Sequence, residues 1–162
     1  MFRGVIFAFL IATTAQAGPL FTSSHAGNWR GVGVQSDGSD WDMRLTLGPT
    51  LGVVSYPNLR CGGRWQYGAV TPDSLSGTET IDYGLENCIE TGQVYVEIYG
   101  KNQLFFMWCG AEDGVGAVAV LERDGFFPPD YNAQRAASNA ALAARGESLE
   151  NITCTGNIWF GV

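Results

Sequence analysis

An antiparallel barrel or sandwich of eight or nine strands, mainly β, is the fold this sequence predicts, with one surface helix near the C-terminus before a last strand. Three observations predict it. Glycine supplies 22 of the 162 residues, with Val, Ile, Thr, Tyr, Phe and Trp recurring between the glycines, the texture of short strands joined by tight turns. Apolar residues alternate at period two, most clearly in Trp41-Met43-Leu45-Leu47 and Val94-Val96-Ile98, as on the inward face of a half-buried strand. Helix signals occur once, late in the chain. Of the two all-β architectures the barrel is preferred, because closure removes the exposed strand edges that an open sheet must protect.

The first strand is expected over 29–35, and Ser36-Asp37-Gly38-Ser39-Asp40 reads as the hairpin turn into a second strand, 41–47. That turn is rich in oxygen ligands but lacks the spacing and closing glutamate of a calcium loop, so a solvated turn is the reading. A third strand covers 52–56 and stops at Pro57. A fourth covers 60–70, with Gly62-Gly63 marking a bulge or bend. Strands follow at 76–81, 93–99, 103–109 and 115–123. In Leu104-Phe105-Phe106-Met107-Trp108 both faces are apolar, so one faces the core and the other meets the helix, a protein partner or a ligand in the barrel mouth, the helix being the simplest cover. That helix is expected over 131–145: Pro128-Pro129 ends the preceding strand, Asp130 caps, alanines follow and Gly146 stops it. Residues 154–162 read as the closing strand.

Residues 1–17 have the three parts of a secretory signal peptide: Arg3, an apolar run from Val5 to Ala12, and Ala15-Gln16-Ala17 as the cleavage site. The run is too short to span a bilayer, which takes about 20 residues, and no later segment is long enough. Residues 18–26 are expected to be a flexible lead-in and 27–162 a single barrel domain. The formal charge of -7 becomes -8 on loss of Arg3, since 16 acids then face 8 bases. Such a chain repels phosphate backbones and anionic headgroups, which argues against nucleic-acid or polybasic membrane contacts.

Four cysteines in an exported chain imply two disulfides. Three connectivities are possible. Cys61–Cys88 with Cys109–Cys154 is favoured, because the first pair sits within one motif and the second ties the terminal strand back to the sheet. Closely spaced cysteine pairs are missing, which argues against a zinc site, and neither metal nor cofactor is expected.

Two resemblances add to this. Gly27-Asn28-Trp29 resembles the Gly-x-Trp signature of lipocalins and related calycin barrels, which implies a lipocalin-like barrel whose closed end is plugged by Trp29. The pattern Tyr56-Pro57-x-Leu59-x-Cys61-Gly62-Gly63, followed by Glu79-x-Ile81-x-x-Gly84-x-x-x-Cys88, resembles a recurrent motif of small secreted bacterial domains without a settled activity. It implies export, a β-domain and a Cys61–Cys88 bridge, and it transfers no catalytic residue.

Chemistry has little to work with. The single histidine, His25, falls in the lead-in, so a triad would take its base from a mobile segment. No nucleophile elbow, zinc helix or phosphate loop occurs. Glu79, Asp82, Glu97 and Glu112 supply carboxylates for glycoside hydrolysis only if two share a cleft; Glu79 reads as a structural residue anchoring a turn. The expected function is therefore binding without catalysis, by a monomer, of an unknown protein or a small apolar ligand in the periplasm or outside the cell. Arg64, Trp65 and Tyr67 are the candidate binding residues, held rigid beside the Cys61 bridge. The rival readings are an inhibitor of an exported hydrolase (protease or lysozyme type) that inserts Gly18-Pro19-Leu20-Phe21, and a structural envelope component.

Overall fold

A computed structural model describes residues 24–110, 115–125 and 130–148. Eight strands run β1 (Gly27–Gln35), β2 (Asp40–Leu47), β3 (Leu51–Tyr56), β4 (Cys61–Val70), β5 (Ser74–Tyr83), β6 (Thr91–Gly100), β7 (Gln103–Gly110) and β8 (Gly116–Arg123), followed by helix α1 (Tyr131–Ala144). Each strand pairs antiparallel with its sequence neighbours, and β8 returns to pair with β1, closing the barrel. The expected architecture is therefore observed, as a barrel and not a sandwich, with the helix after the strands. Closure needs no ninth strand. The expected strand 154–162 lies outside the described residues, as do the expected signal peptide 1–17, Glu112 and Cys154, the expected partner of Cys109.

Period-two alternation decides what faces inward. On β2, Trp41, Met43, Leu45 and Leu47 are buried while Arg44 and Thr46 are exposed. Leu75 and Ile81 of β5, Val94 and Val96 of β6, and Leu104 and Phe106 of β7 complete the same interior. The bulge expected at the paired glycines is present, as a register shift between Gly62 and Gly63 against β5.

The two apolar faces of β7 are both explained. Phe106 and Trp108 enter the barrel, whereas Phe105 and Met107 form a second cluster outside it with Val34, Val118, Val120, Ala141 and Leu142. Helix α1 is thus the cover. Asp130 caps it by accepting from the Asn132 N–H, satisfying one of the free donors of the first turn. The Arg145 guanidinium lies 4.1 Å from the Phe105 ring centre and pairs with Glu97 at 2.5 Å. Ser138 enters the seam itself: its hydroxyl accepts from the Val120 N–H at 3.0 Å and donates to the Val32 carbonyl at 2.8 Å. One helical side chain thereby joins β1 to β8 where the barrel closes.

The closed end is built around Trp29, 1% exposed. Its indole N–H donates to the His25 carbonyl at 2.9 Å, and the Arg123 guanidinium lies 4.2 Å from its ring centre. The same guanidinium donates to the carbonyls of Ala26 and Ser24. This shortens the expected lead-in: residues 24–26 belong to the barrel's base and His25 is fully buried, because backbone carbonyls there are captured by Trp29 and Arg123. Burial also depresses the His25 pKa, with the nearby Asp73 acting in the opposite sense.

Candidate functional site

At the other end of the barrel, where the β1–β2, β3–β4 and β5–β6 connections gather, lies a cup of about 200 Å³. Trp41, Tyr56 and Trp108 wall it, Glu79 and Ile81 come from β5, and Leu59 and Ile89 stand on the loops. Below the cup the barrel is filled by side chains. Trp65 stacks on Phe106 with ring centres 5.6 Å apart, and Trp41 meets Tyr56 edge-on at 5.1 Å. The interior is therefore packed at mid-height, with the cup above it at the mouth.

Two glycines make room for the walls. A Cβ on Gly33 would stand 2.3 Å from the Trp41 ring, and one on Gly92 would stand 2.3 Å from Trp108 Nε1. Each indole lies against bare backbone, so both tryptophans occupy places that no other residue at 33 or 92 permits without movement.

Glu79 is the anomaly of this site. It is a carboxyl group, 2% exposed, on a face that otherwise reads Leu75-Gly77-Ile81. Its Oε2 accepts from the Tyr56 hydroxyl and from Trp65 Nε1–H, each at 2.7 Å. Trp108 adds a weaker contact. Its N–H favours the ionised carboxyl, but it lacks the geometry of a full hydrogen bond and has no other partner among the described residues. Burial raises the Glu79 pKa, and these three donors hold it back in part. Burial and the neighbouring carboxyl together push the Tyr56 phenol far up, so Tyr56 remains an O–H donor. The expected turn-anchoring role is corrected here: Glu79 sits within β5 and binds side-chain donors, because its place in the alternation turns it inward.

The sequence-derived binding residues fall in three different places. Arg64 is exposed and pairs with Asp82 on the outer surface. Trp65 faces inward with no exposed surface and supports Glu79 from beneath. Tyr67 also turns inward but lies toward the closed end, where its hydroxyl donates to the Gly48 carbonyl at 2.9 Å; burial lifts its pKa. Alternation along β4 separates Arg64 from the other two. The carboxylates considered for hydrolysis are also scattered, since Asp82 pairs with Arg64 and Glu97 with Arg145 outside the barrel. Among the described residues no group of three metal-ligating side chains occurs, and no helix is long and apolar enough to cross a membrane. The Asp37 turn is a hairpin turn, with Asp37 Oδ1 accepting from the Ser39 N–H and hydroxyl.

The Cys61–Cys88 disulfide is present, joining the start of β4 to the β5–β6 loop with its Cα atoms 6.4 Å apart. Cys88 lies in the cup wall, so the bridge holds one side of the rim in place.

Fold and site together define a closed eight-stranded barrel with a small aromatic cup at one end. No protein-family model matches this sequence, and no curated protein matches it. Among solved structures it is similar to a redesigned β-barrel, b11L5F_LGL, with a TM-score of 0.51 and 18% identity over 66% of this chain and 99% of that one. A second redesigned barrel, mFAP1 bound to DFHBI, gives a TM-score of 0.48 and 17% identity over 60% of this chain and 94% of its own. At these identities the likeness concerns the fold alone.

Proposed function

We propose that this protein is an exported, non-enzymatic binding domain that holds a small, largely apolar molecule in the cup at the open end of the barrel. One observation carries the reading. A recess walled by Trp41, Tyr56 and Trp108 remains at the mouth, above a core packed with side chains. Ligand sites are concave, mainly apolar and furnished with a few placed polar groups, and here Glu79 is the placed group. The recess is smaller than most drug-sized sites, but an apolar cavity of about 150 Å³ is enough for a benzene ring. The ligand is accordingly one ring or a short chain.

The Cys61–Cys88 bridge supports an oxidising location outside the cytoplasm, in keeping with the signal-like residues 1–17 and with the resemblance of the Tyr56–Cys88 pattern to small secreted bacterial domains. The inhibitor reading rests on residues 18–21, which lie outside the described residues.

The test uses tryptophan fluorescence, because Trp41 and Trp108 border the cup, backed by calorimetry. Single-ring probes, neutral and charged, are titrated into the oxidised protein. Saturable binding by at least one is expected, and Leu59→Trp, which places a bulky ring at the mouth, is expected to abolish it without unfolding the barrel. If no probe of either kind binds, the cup is a packing defect and the reading is wrong.

A further inference from the structure

We propose that the occupant of the cup is a small organic amine, bound as its ammonium ion against the faces of Trp41, Tyr56 and Trp108 with the Glu79 carboxylate as counter-ion. This rests on the cup being a binding site and names the class of molecule it takes.

The hydrogen-bond chemistry around Glu79 points this way. Its neighbours are donors: the Tyr56 hydroxyl and the indole N–H of Trp65, with the Trp108 N–H weaker and farther. An indole nitrogen offers no acceptor at all. These donors favour the carboxylate and oppose the burial that favours the neutral acid, so a cation arriving at the cup completes the conditions for a negative charge on Glu79. Both strong hydrogen bonds use Oε2, which leaves Oε1 for an occupant.

That charge lacks a protein cation. Among the described residues the ion pairs are Arg30–Asp124, Arg64–Asp82, Arg135–Asp40 and Arg145–Glu97, and Glu79 is in none of them. No lysine, arginine or histidine among the described residues lines the cup. Among the described residues the other carboxylate lining the cup is Asp40, already engaged in accepting from Arg135 Nε at 2.8 Å and from the Tyr131 hydroxyl at 2.5 Å. A buried charge is costly unless it is paired, so the missing partner is the ligand's own positive charge.

The walls agree with that assignment. Cations are attracted to the faces of Trp most strongly and to Tyr and Phe less so, and the attraction grows when water is excluded. Three aromatic rings around one buried carboxylate form a box that attracts an ammonium group. A chain of net charge -7 also draws cations toward its mouth and repels anions.

Matched probes decide it. Phenethylamine, 2-phenylethanol and phenylacetate have the same ring and nearly the same length, but are cationic, neutral and anionic at neutral pH. Calorimetry on the oxidised protein is expected to show phenethylamine binding about tenfold or more tightly than either of the others. Glu79→Gln should remove the preference, whereas Asp82→Asn, which deletes an outer carboxylate, should keep it. Equal or tighter binding of 2-phenylethanol would overturn the amine assignment while leaving the cup a binding site; so would a preference that survives E79Q. Failure of all three probes would overturn both readings. Should E79Q not fold, the comparison of the three probes on the unmodified protein decides alone.

Discussion

Glu79 is one carboxyl group placed where side-chain alternation requires an apolar residue, and its surroundings fix the sign of its effect. Burial is the larger influence and raises its pKa, while the Tyr56, Trp65 and Trp108 donors oppose it. The folded state thus holds the Glu79 proton more tightly than the unfolded chain does. The stability this residue contributes is complete below its ordinary carboxyl pKa and is lost as pH rises through the higher folded value. Glu79→Gln cannot ionise. Without ligand, the stability of E79Q relative to the natural protein should therefore improve between acidic and neutral pH, as read from urea midpoints at matched pH. The depressed His25 pKa acts the other way, costing stability on acidification, but it is common to both proteins and cancels in the difference. An unchanged difference across that range would show that Glu79 is solvated. The glycines beneath the tryptophans give a second residue-scale expectation. Gly92→Ala drives a methyl group into Trp108 Nε1, and an overpacked core position costs about 1–3 kcal/mol. Both the urea midpoint and probe binding should fall.

Among the elements, α1 has the most specific task. Its buried residues are Gln134, Ser138, Ala141 and Leu142, a narrow stripe suited to covering one patch of sheet. Ser138 stands between β1 and β8, donating to Val32 and accepting from Val120. Ser138→Ala removes both of its hydrogen bonds from the place where Val32 pairs with Val120, at about 0.5–1.5 kcal/mol for each bond. The destabilised place is the barrel's seam. Hydrogen exchange should therefore rise first at Val32 and Val120, with little change at the β4–β5 pairing. Uniform loss of protection would instead mean that the helix merely adds to global stability. The outward face of β7 depends on the same helix: Leu142→Ala, at a site 2% exposed, should cost about 2–5 kcal/mol.

For the molecule as a whole, ring closure and the Cys61–Cys88 cross-link work together. The bridge spans 27 residues, and a loop of that size constrains the unfolded chain by roughly 3.5 kcal/mol in the chain-entropy description. The paired replacement Cys61→Ala with Cys88→Ala should lower the unfolding free energy, read from urea denaturation, by a comparable amount. Because Cys88 borders the cup, probe affinity should also weaken under conditions where the barrel remains folded. Loss of stability with unchanged affinity would separate the bridge from the site.

Much of this was legible in the sequence because its causes are local. Trp41-Met43-Leu45-Leu47 announces an inward face whatever lies across from it, Pro57 ends a strand by lacking a donor, Asp130 caps a helix from its own side chain, and the Gly62-Gly63 pair marks a bulge. The doubly apolar run at 104–108 even implied its helical cover. The cup was not legible. Its walls come from four strands, far apart in sequence, and only closure of the sheet, with its register, brings Trp41, Tyr56, Glu79 and Trp108 to one level. Arg64, Trp65 and Tyr67 are neighbours in sequence, but the pleat divides them between two faces and two heights. The one available signal was Glu79 itself, a charge amid an alternating apolar face. Alternation alone determined that this chain makes strands with one greasy side; which inward side chains meet, and what they leave room for, was decided by tertiary structure, since burial and pairing depend on contacts across the barrel that no local pattern encodes.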